Sequence, residues 1–433
     1  MPARHRLVAI LTLVLQVLSI SYAAAQQPPS GPPATLHLTL KDAVQLGLKQ
    51  NPERVIARIL VSESDRTSQI ARSALLPQGA ITGRGALSQY NLQSVEAGPR
   101  RPAGPYQFIE AGPSFSQTIL NFQQIRGFQI GQEDARGARA DEQTGRETVV
   151  TAVVNQYLLV LRALATRDAV TSRVALAQRL YDQASELQKT GVGLSIDATR
   201  ANVELQNEKQ NLIDAETQTR TTRYALAEIL DLPREQELEV TDHLDFYDLP
   251  ALEREALLDL ALTARPEIRS LNSQTRVARL STDAAREQRL PQLAFSGFWY
   301  YQGAHFNDGI PAYTYELSLD LPLFTGGRIR AEQARAKLEE ARIVREVKTA
   351  FDELTAARTA VDVANLGYKL AQDEVAQAQR RFTAGVTTNI EVITAQDELA
   401  RASDSQIDAL YRFNLSRALL AQATGQIESM YSK

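Results

Sequence analysis

Side chains able to do chemistry are sparse in this chain. Its 433 residues include no cysteine, which removes disulfides, thiolate nucleophiles and cysteine-based metal sites. Of the four histidines, His5, His37, His243 and His305, no two stand at ligand spacing. No glycine-rich phosphate loop leads into Lys-Ser or Lys-Thr. Thr325-Gly326-Gly327-Arg328 has the makings of an anion-binding turn at a helix start, but the same residues serve as an exit turn from strand to helix, and we read them so. His243, between Asp242 and Asp245, reads as a polar linker residue. Asp197 and Glu391 each follow a glycine turn, and by position alone they read as solvated charges on the first turn of a helix, where negative charge is favoured. The formal charge is −4 and there is no basic patch, so nucleic acid is not an expected partner. An enzyme is not what these residues describe, and no cofactor is expected.

The elements that must position Asp197 and Glu391 are helices. There is no proline between Pro113 and Pro233, nor after Pro322. Both stretches are rich in Ala, Leu, Gln, Glu and Arg, which favour helix. Leu176, Leu180 and Leu187 form an apolar stripe, as do Leu366 with Leu370, and Ile407, Leu410 and Phe413. A helix from about Ile125 to Lys189 would run about 90 Å, longer than a globular domain needs. Gly191 and Gly385 reverse the chain, and Ser195 and Asn389 are candidate N-caps for the returning helices. Two long antiparallel helical hairpins are expected.

Strands of a different kind interrupt this plan. In AYTYELSLDLPLF (Ala312–Phe324), Tyr313, Tyr315, Leu317, Leu319, Leu321 and Leu323 alternate with mostly polar residues, a period of two. Two β-hairpins are expected, Ala80–Leu92 with Tyr106–Leu120, and Leu293–Gln302 with Ala312–Phe324. The strands are about ten to fifteen residues, long enough to cross a bilayer when tilted. The connecting stretches EAGPRRPAG and GAHFNDGIP carry Gly, Pro and charge and belong in water. In lipid an unpaired backbone group costs several kcal/mol, so an open four-stranded sheet cannot span, and four strands are too few to close a barrel. Either the sheet packs on helices or several chains pool their strands. Tyr313 and Tyr315 at the loop end of the apolar face, with Trp299 and Tyr301 on the partner strand, make an aromatic girdle above an aliphatic band and favour pooling. In the first hairpin Ile81, Leu87, Phe108 and Ile109 are apolar, but the alternation slips near Gly112-Pro113, the mark of a bulge or kink.

The chain also repeats itself. Pro52 of NPE precedes Pro77 of LLPQ by 25 residues, and Pro266 of RPE precedes Pro291 of RLPQ by the same 25. SQTILNFQQIR (Ser116–Arg126) aligns with SLDLPLFTGGR (Ser318–Arg328), and TGVGLSIDATRANVEL (Thr190–Leu205) with AGVTTNIEVITAQDEL (Ala384–Leu399). We therefore expect a first repeat at 37–235 with its β-hairpin at 80–120 and its tip at 190–195. A linker follows at 236–253, then a second repeat at 254–426 with its β-hairpin at 293–324 and tip at 384–389, and a tail at 427–433. Ahead of them, residues 1–25 read as a signal peptide: Arg4, His5 and Arg6, the apolar run Leu7–Ile20, and Ala23-Ala24-Ala25 at the cleavage site. Residues 26–36, including QQPPSGPPA, are a Pro-rich lead-in. With no cysteine, lipid attachment at the mature start is not expected. No stretch after the signal reads as about twenty apolar residues, so no transmembrane helix is expected either.

LTLKDAVQLGLKQNPE, the LLPQ and RLPQ strand entries, LPLFTGGRIRAEQARA and the two tip sequences together resemble the TolC-like outer-membrane efflux protein family, across essentially the whole mature chain. The resemblance implies a mixed α and β membrane protein. Long antiparallel helical hairpins would form a periplasmic α-barrel, and four strands per chain would contribute to a trimeric, twelve-stranded transmembrane β-barrel. It implies a passive exit duct in the bacterial outer membrane for a tripartite efflux or secretion system, with a periplasmic adaptor protein, an inner-membrane transporter and outer-membrane lipid as partners. The tips, Gly191, Val192, Gly193, Leu194 and Ser195 with Gly385, Val386 and Thr387, would meet the adaptor. A constriction next to them would involve Asp197, Glu391 and Thr394; Thr394 replaces the family's second acid and Thr387 its arginine. Three Glu391 carboxylates around one axis would raise one another's pKa and attract cations. The other reading is a periplasmic coiled-coil adaptor or structural protein without its own channel. The sequence names neither cargo nor transporter class.

Overall fold

The computed structural model describes residues 35–91, 102–234, 236–247, 253–305, 307–320 and 333–432. The expected signal peptide, nearly all of the Pro-rich lead-in and the turn Thr325–Arg328 lie outside the described residues. A short strand β1 (Leu36–Leu38) opens the chain, followed by α1 (Leu40–Gln50) and α2 (Pro52–Ser73). Thr39 caps α1 through the Asp42 amide and receives the Asp42 carboxylate in return. Asn51 ends α1 and caps α2, whose Pro52 occupies the first turn, where no amide donor is needed. Strands β2 (Gln78–Asn91) and β3 (Pro102–Leu120) lead into α3 (Phe122–Lys189), 68 residues and about 100 Å long, which returns as α4 (Ser195–Ile229). After β4 (Leu238–Val240) come α5 (Arg254–Ala264), α6 (Pro266–Glu287), β5 (Gln292–Gly303) and β6 (Ile310–Asp320). Helices α7 (Gln333–Thr383), α8 (Asn389–Ala423) and α9 (Ile427–Tyr431) complete the chain.

Helices lie side by side around α3. Its first half has α2 on one flank and α6 on the other, with α7 beyond α6. Its second half has α4 and α8 as flanks, with α7 beyond α8. One margin of the chain is therefore α2 and α4, and the other is α7. Three apolar clusters hold the helices together. The largest gathers α1, β1, β4, the Val149–Leu161 stretch of α3 and the ends of α4 and α8. A second joins α5, α7 and α8, and a third joins α3, α4, α7 and α8 near the tips. Long as it is, α3 contains a stretch apolar enough to cross a membrane by length and composition, but half of that stretch is buried inside the protein. Val149, Val150, Val153, Val154 and Tyr157 are core, which is why the helix is so apolar there.

The expected linker carries structure: β4 pairs in parallel with β1, and Asp242 accepts a hydrogen bond from the Leu40 amide at 2.7 Å. Tyr157 Oη lies 2.9 Å from both Asp242 Oδ2 and the Leu38 carbonyl, and burial pushes its phenol pKa up. The stretch set apart as a tail forms α9, whose Ile427 is fully buried.

The four long strands make one antiparallel sheet in the order β2-β3-β5-β6. Strand β3 begins at Pro102, four residues before the sequence suggests, so PAG of the expected loop is in strand. Strand β6 is described to Asp320. No register shift falls at Gly112-Pro113, and pairing of β2 with β3 is continuous through both, but the irregularity shows on the other side: the β3–β5 ladder passes from Ala111–Tyr301 to Ser114–Phe298 and skips both residues. Register shifts fall instead between Ser88 and Tyr90, and between Thr118 and Leu120. Gly112 answers a different need. A Cβ there would stand 2.0 Å from the Trp299 carbonyl oxygen, so β3 and β5 meet at this spacing only over glycine.

Candidate functional site

Each helical hairpin turns on a glycine. Gly191 has φ +78° and Gly385 φ +70°, where a side chain is strained. The Val192 and Gly193 amides donate to the Leu187 carbonyl at 3.0 and 2.8 Å, and Val386 donates to Arg381 at 3.0 Å, closing helix ends with backbone alone. Ser195 and Asn389 are not the N-caps the sequence suggests. The cap positions are Leu194 and Thr388, and neither makes a side-chain cap bond. Asn389 is instead fully buried and donates from Nδ2 to the Asp197 carbonyl at 2.8 Å, tying one tip to the other. Val192 is 80 % exposed, and Leu194, Val386, Ile196 and Ile390 are also exposed. The two tips thus end in small and apolar groups facing solvent.

The three constriction candidates have different surroundings. Glu391 accepts from Arg381 Nε at 2.9 Å and from the Thr387 hydroxyl. Asp197 lies 3.9 Å from Arg200 on its own helix. Thr394 is exposed on α8. The sequence pattern gave no reason to single out Arg381, six residues before Thr387, the position at which an arginine was sought. It sits in the last turn of α7, where a cation is favoured and where the reversal at Gly385 carries Glu391 back to it.

Strand register sorts the sheet into two faces. Trp299 pairs with Tyr313, Tyr301 with Pro311, and Gly297 with Tyr315, so the four girdle residues share a face. Trp299 is 58 %, Tyr313 70 % and Tyr315 67 % exposed, and Tyr301 is half exposed. Ile81, Leu87, Phe115, Ile119, Leu317 and Leu319 are also exposed, and the pairing puts Ile81, Leu87, Phe115, Leu317 and Leu319 on the girdle's face. Phe115 packs 6.1 Å from Phe295, and Phe295 stacks on Tyr315 at 6.4 Å, so aromatics run deeper than the girdle. Phe108 and Ile109, paired as apolar in the sequence, point to opposite faces; Ile109 joins Ala111 and Tyr301 on the apolar side. The other face holds every charged residue of the four strands: Arg84, Glu110, Glu316 and Asp320. Such a sheet has one apolar face and one charged face.

Between sheet and tips, ionic groups brace the helices. Arg126 grips Glu287 with two nitrogens at 2.8–3.1 Å, pinning the start of α3 to the end of α6. Arg265, almost fully buried, reaches Glu267 at 2.8 Å and Glu346 at 2.6 Å, joining α5, α6 and α7. Glu147 on α3 is buried nearby. Desolvation, reinforced by the Glu267 carboxylate, pushes its pKa up to about 7.

Comparison with known proteins gives this architecture a context. The outer membrane efflux protein family matches residues 43–231 and again 257–426. Outer membrane protein TolC of Vibrio cholerae is 24 % identical over 380 residues, covering 82 % of this chain and 84 % of its own. The pyoverdine export outer membrane protein OpmQ of Pseudomonas putida is 27 % identical over 395 residues, covering 85 % and 81 %. In fold, the outer membrane protein VceC of Vibrio cholerae superposes with a TM-score of 0.76 at 16 % identity, over 89 % of this chain and 96 % of its own. The CmeC outer membrane channel of Campylobacter jejuni does so with 0.74 at 18 %, over 90 % and 86 %. The two matched segments carry the two rounds of helix, β-hairpin and helical hairpin, and with them the chain belongs to the outer membrane efflux protein family.

Proposed function

We infer that this protein is the exit duct of a tripartite efflux or type I secretion system, conducting cargo passively from the periplasm to the exterior. The observation that carries the reading is the sorting of the sheet. All charge of the four strands lies on one face, exposed aromatic and aliphatic side chains gather on the other, and among the described residues both β2 and β6 are open edges. Three copies sharing one barrel would close those edges and leave no backbone group unpaired in lipid. The helical margins support the same joining. Exposed Val203, Ile213 and Tyr224 on α4, and Ile56, Ile59 and Leu60 on α2, stand on one margin; Val363, Leu366 and Leu370 of α7 stand on the other. In this reading the twelve helices of three lower halves form a periplasmic tunnel beneath a twelve-stranded barrel in the outer membrane.

The exposed Val192, Leu194 and Val386 at the tips are the groups offered to a periplasmic adaptor, which an inner-membrane transporter would drive. Glu391 is assigned to the constriction beside them, with Asp197 and Thr394. The Arg381 ion pair and the Thr387 hydroxyl offset its charge, so mutual repulsion between copies is smaller than three bare carboxylates would give. Single-channel recording on the reconstituted protein tests the assignment. Glu391→Ala is expected to change the conductance and to weaken block by divalent cations added on the tip side. If the variant conducts and is blocked like the parent, Glu391 does not line the path.

A further inference from the structure

The polar face of the sheet contains a stacked pair of aromatic rings that neither the lipid nor the protein core accounts for. Phe298 and Tyr300 alternate with Trp299 and Tyr301 and so point away from the girdle. Their rings stack on each other at 6.0 Å with 19° between planes, and both remain part-exposed. Small or polar residues stand across from them: Ser114 and Thr314 flank Phe298, and Ala312 faces Tyr300. Gly112, against the Tyr300 backbone, adds no side chain. The rings therefore have open space over them. Glu316, opposite Ser296, is the diagonal neighbour of Phe298, a distance that long side chains bridge. No basic residue stands opposite Glu316 or Asp320, which pair with Ser296 and Gln292, whereas Glu110 has Arg84 across from it. Three acids against one arginine give this face a negative potential.

We propose that Phe298 and Tyr300, with Glu316 beside them, form a contact site for aromatic organic cations in transit through the strand-built part of the channel. The site rests on the reading of this face as the water-filled side of a barrel. A planar cation gains there what a plain ion does not: stacking on two rings, the attraction of the ring faces for positive charge, and a carboxylate within reach. An anionic or purely aliphatic molecule gains none of the three together. The barrel would slow and concentrate such molecules without closing around them.

Current block in planar bilayers tests this, with ethidium as the aromatic cation and tetrabutylammonium as the non-aromatic one, each scaled to the variant's own current in potassium chloride. In Phe298→Leu/Tyr300→Leu the ethidium concentration for half block should rise about tenfold. The tetrabutylammonium value should move less than about twofold, and Glu316→Gln should raise the ethidium value about threefold. Three results would overturn the proposal: no ethidium block of the parent channel, an unchanged ethidium value in the leucine variant, or an equal shift for both cations. If the leucine variant forms no channels, the parent and Glu316→Gln decide, because equal potency of the two cations on the parent overturns the site as well. A parent protein that conducts nothing overturns the channel reading itself, which separates the two failures.

Discussion

Glu147 illustrates what a single buried acid does to a long helix assembly. It lies within the packed region where α3 meets the starts of α6 and α9, near Arg265, Glu267 and Glu428. Arg146, its neighbour in sequence, is spent on Glu428, and Arg265 on Glu267 and Glu346. Its pKa therefore rises from 4.5 to about 7. Between those values the folded protein holds a proton that the unfolded chain has released, so this residue makes stability fall as pH rises through the window and level off above it. The full effect is at most about 3 kcal/mol. Glu147→Gln should raise the unfolding temperature at pH 8, leave it unchanged below about pH 4.5, and flatten the profile between. Scanning calorimetry across this range checks it, and a parallel profile for the variant would contradict it.

At the scale of elements, the joint between β3 and β5 is the most constrained contact of the sheet. Gly112 lets two backbones approach where a methyl group would meet the Trp299 carbonyl oxygen. Gly112→Val should separate the two hairpins' strands and cost more than about 2 kcal/mol. Heat-modifiable migration of outer-membrane fractions on gels should show less of the folded form, whereas Gly83→Ala, with nothing within 4 Å of its Cβ, should migrate like the parent. The same region marks the limit of what the sequence discloses. Period-two patterning located β6, and with it the face shared by Trp299, Tyr301, Tyr313 and Tyr315, because from Tyr313 to Asp320 apolar positions alternate strictly with polar ones. In the first hairpin, glycines and Pro113 stand on the apolar face without announcing it, so the pattern looked broken although β2 and β3 pair without a shift from Gln78 to Ser88. Helix continuity was legible from missing proline. The caps were not, since Leu194 and Thr388 leave the helix starts to backbone and neighbouring helices while Asn389 is drawn into the contact between tips. Arg381 escaped for a related reason: its pairing with Glu391 exists only after the chain reverses. The parallel β1–β4 pair is a contact across about 200 residues of chain, with no local signature at all.

The whole molecule has the form of a part. Among the described residues its sheet ends in two unpaired edges, β2 and β6, and its helix row ends in α2 and α4 on one side and α7 on the other, so the same margin runs from strands to tips. A single copy in a membrane would leave both strand edges unsatisfied in hydrocarbon. Cysteine crosslinking between those edges is the most direct measurement, and the absence of native cysteine gives it a clean background. A cysteine at Gly83 on β2, combined on the same chain with one scanned along β6 from Ala312 to Ser318, should produce under oxidation in intact outer membranes a covalent ladder that stops at three chains. No crosslink at any position, or a ladder that continues past three, would contradict a closed ring of three copies.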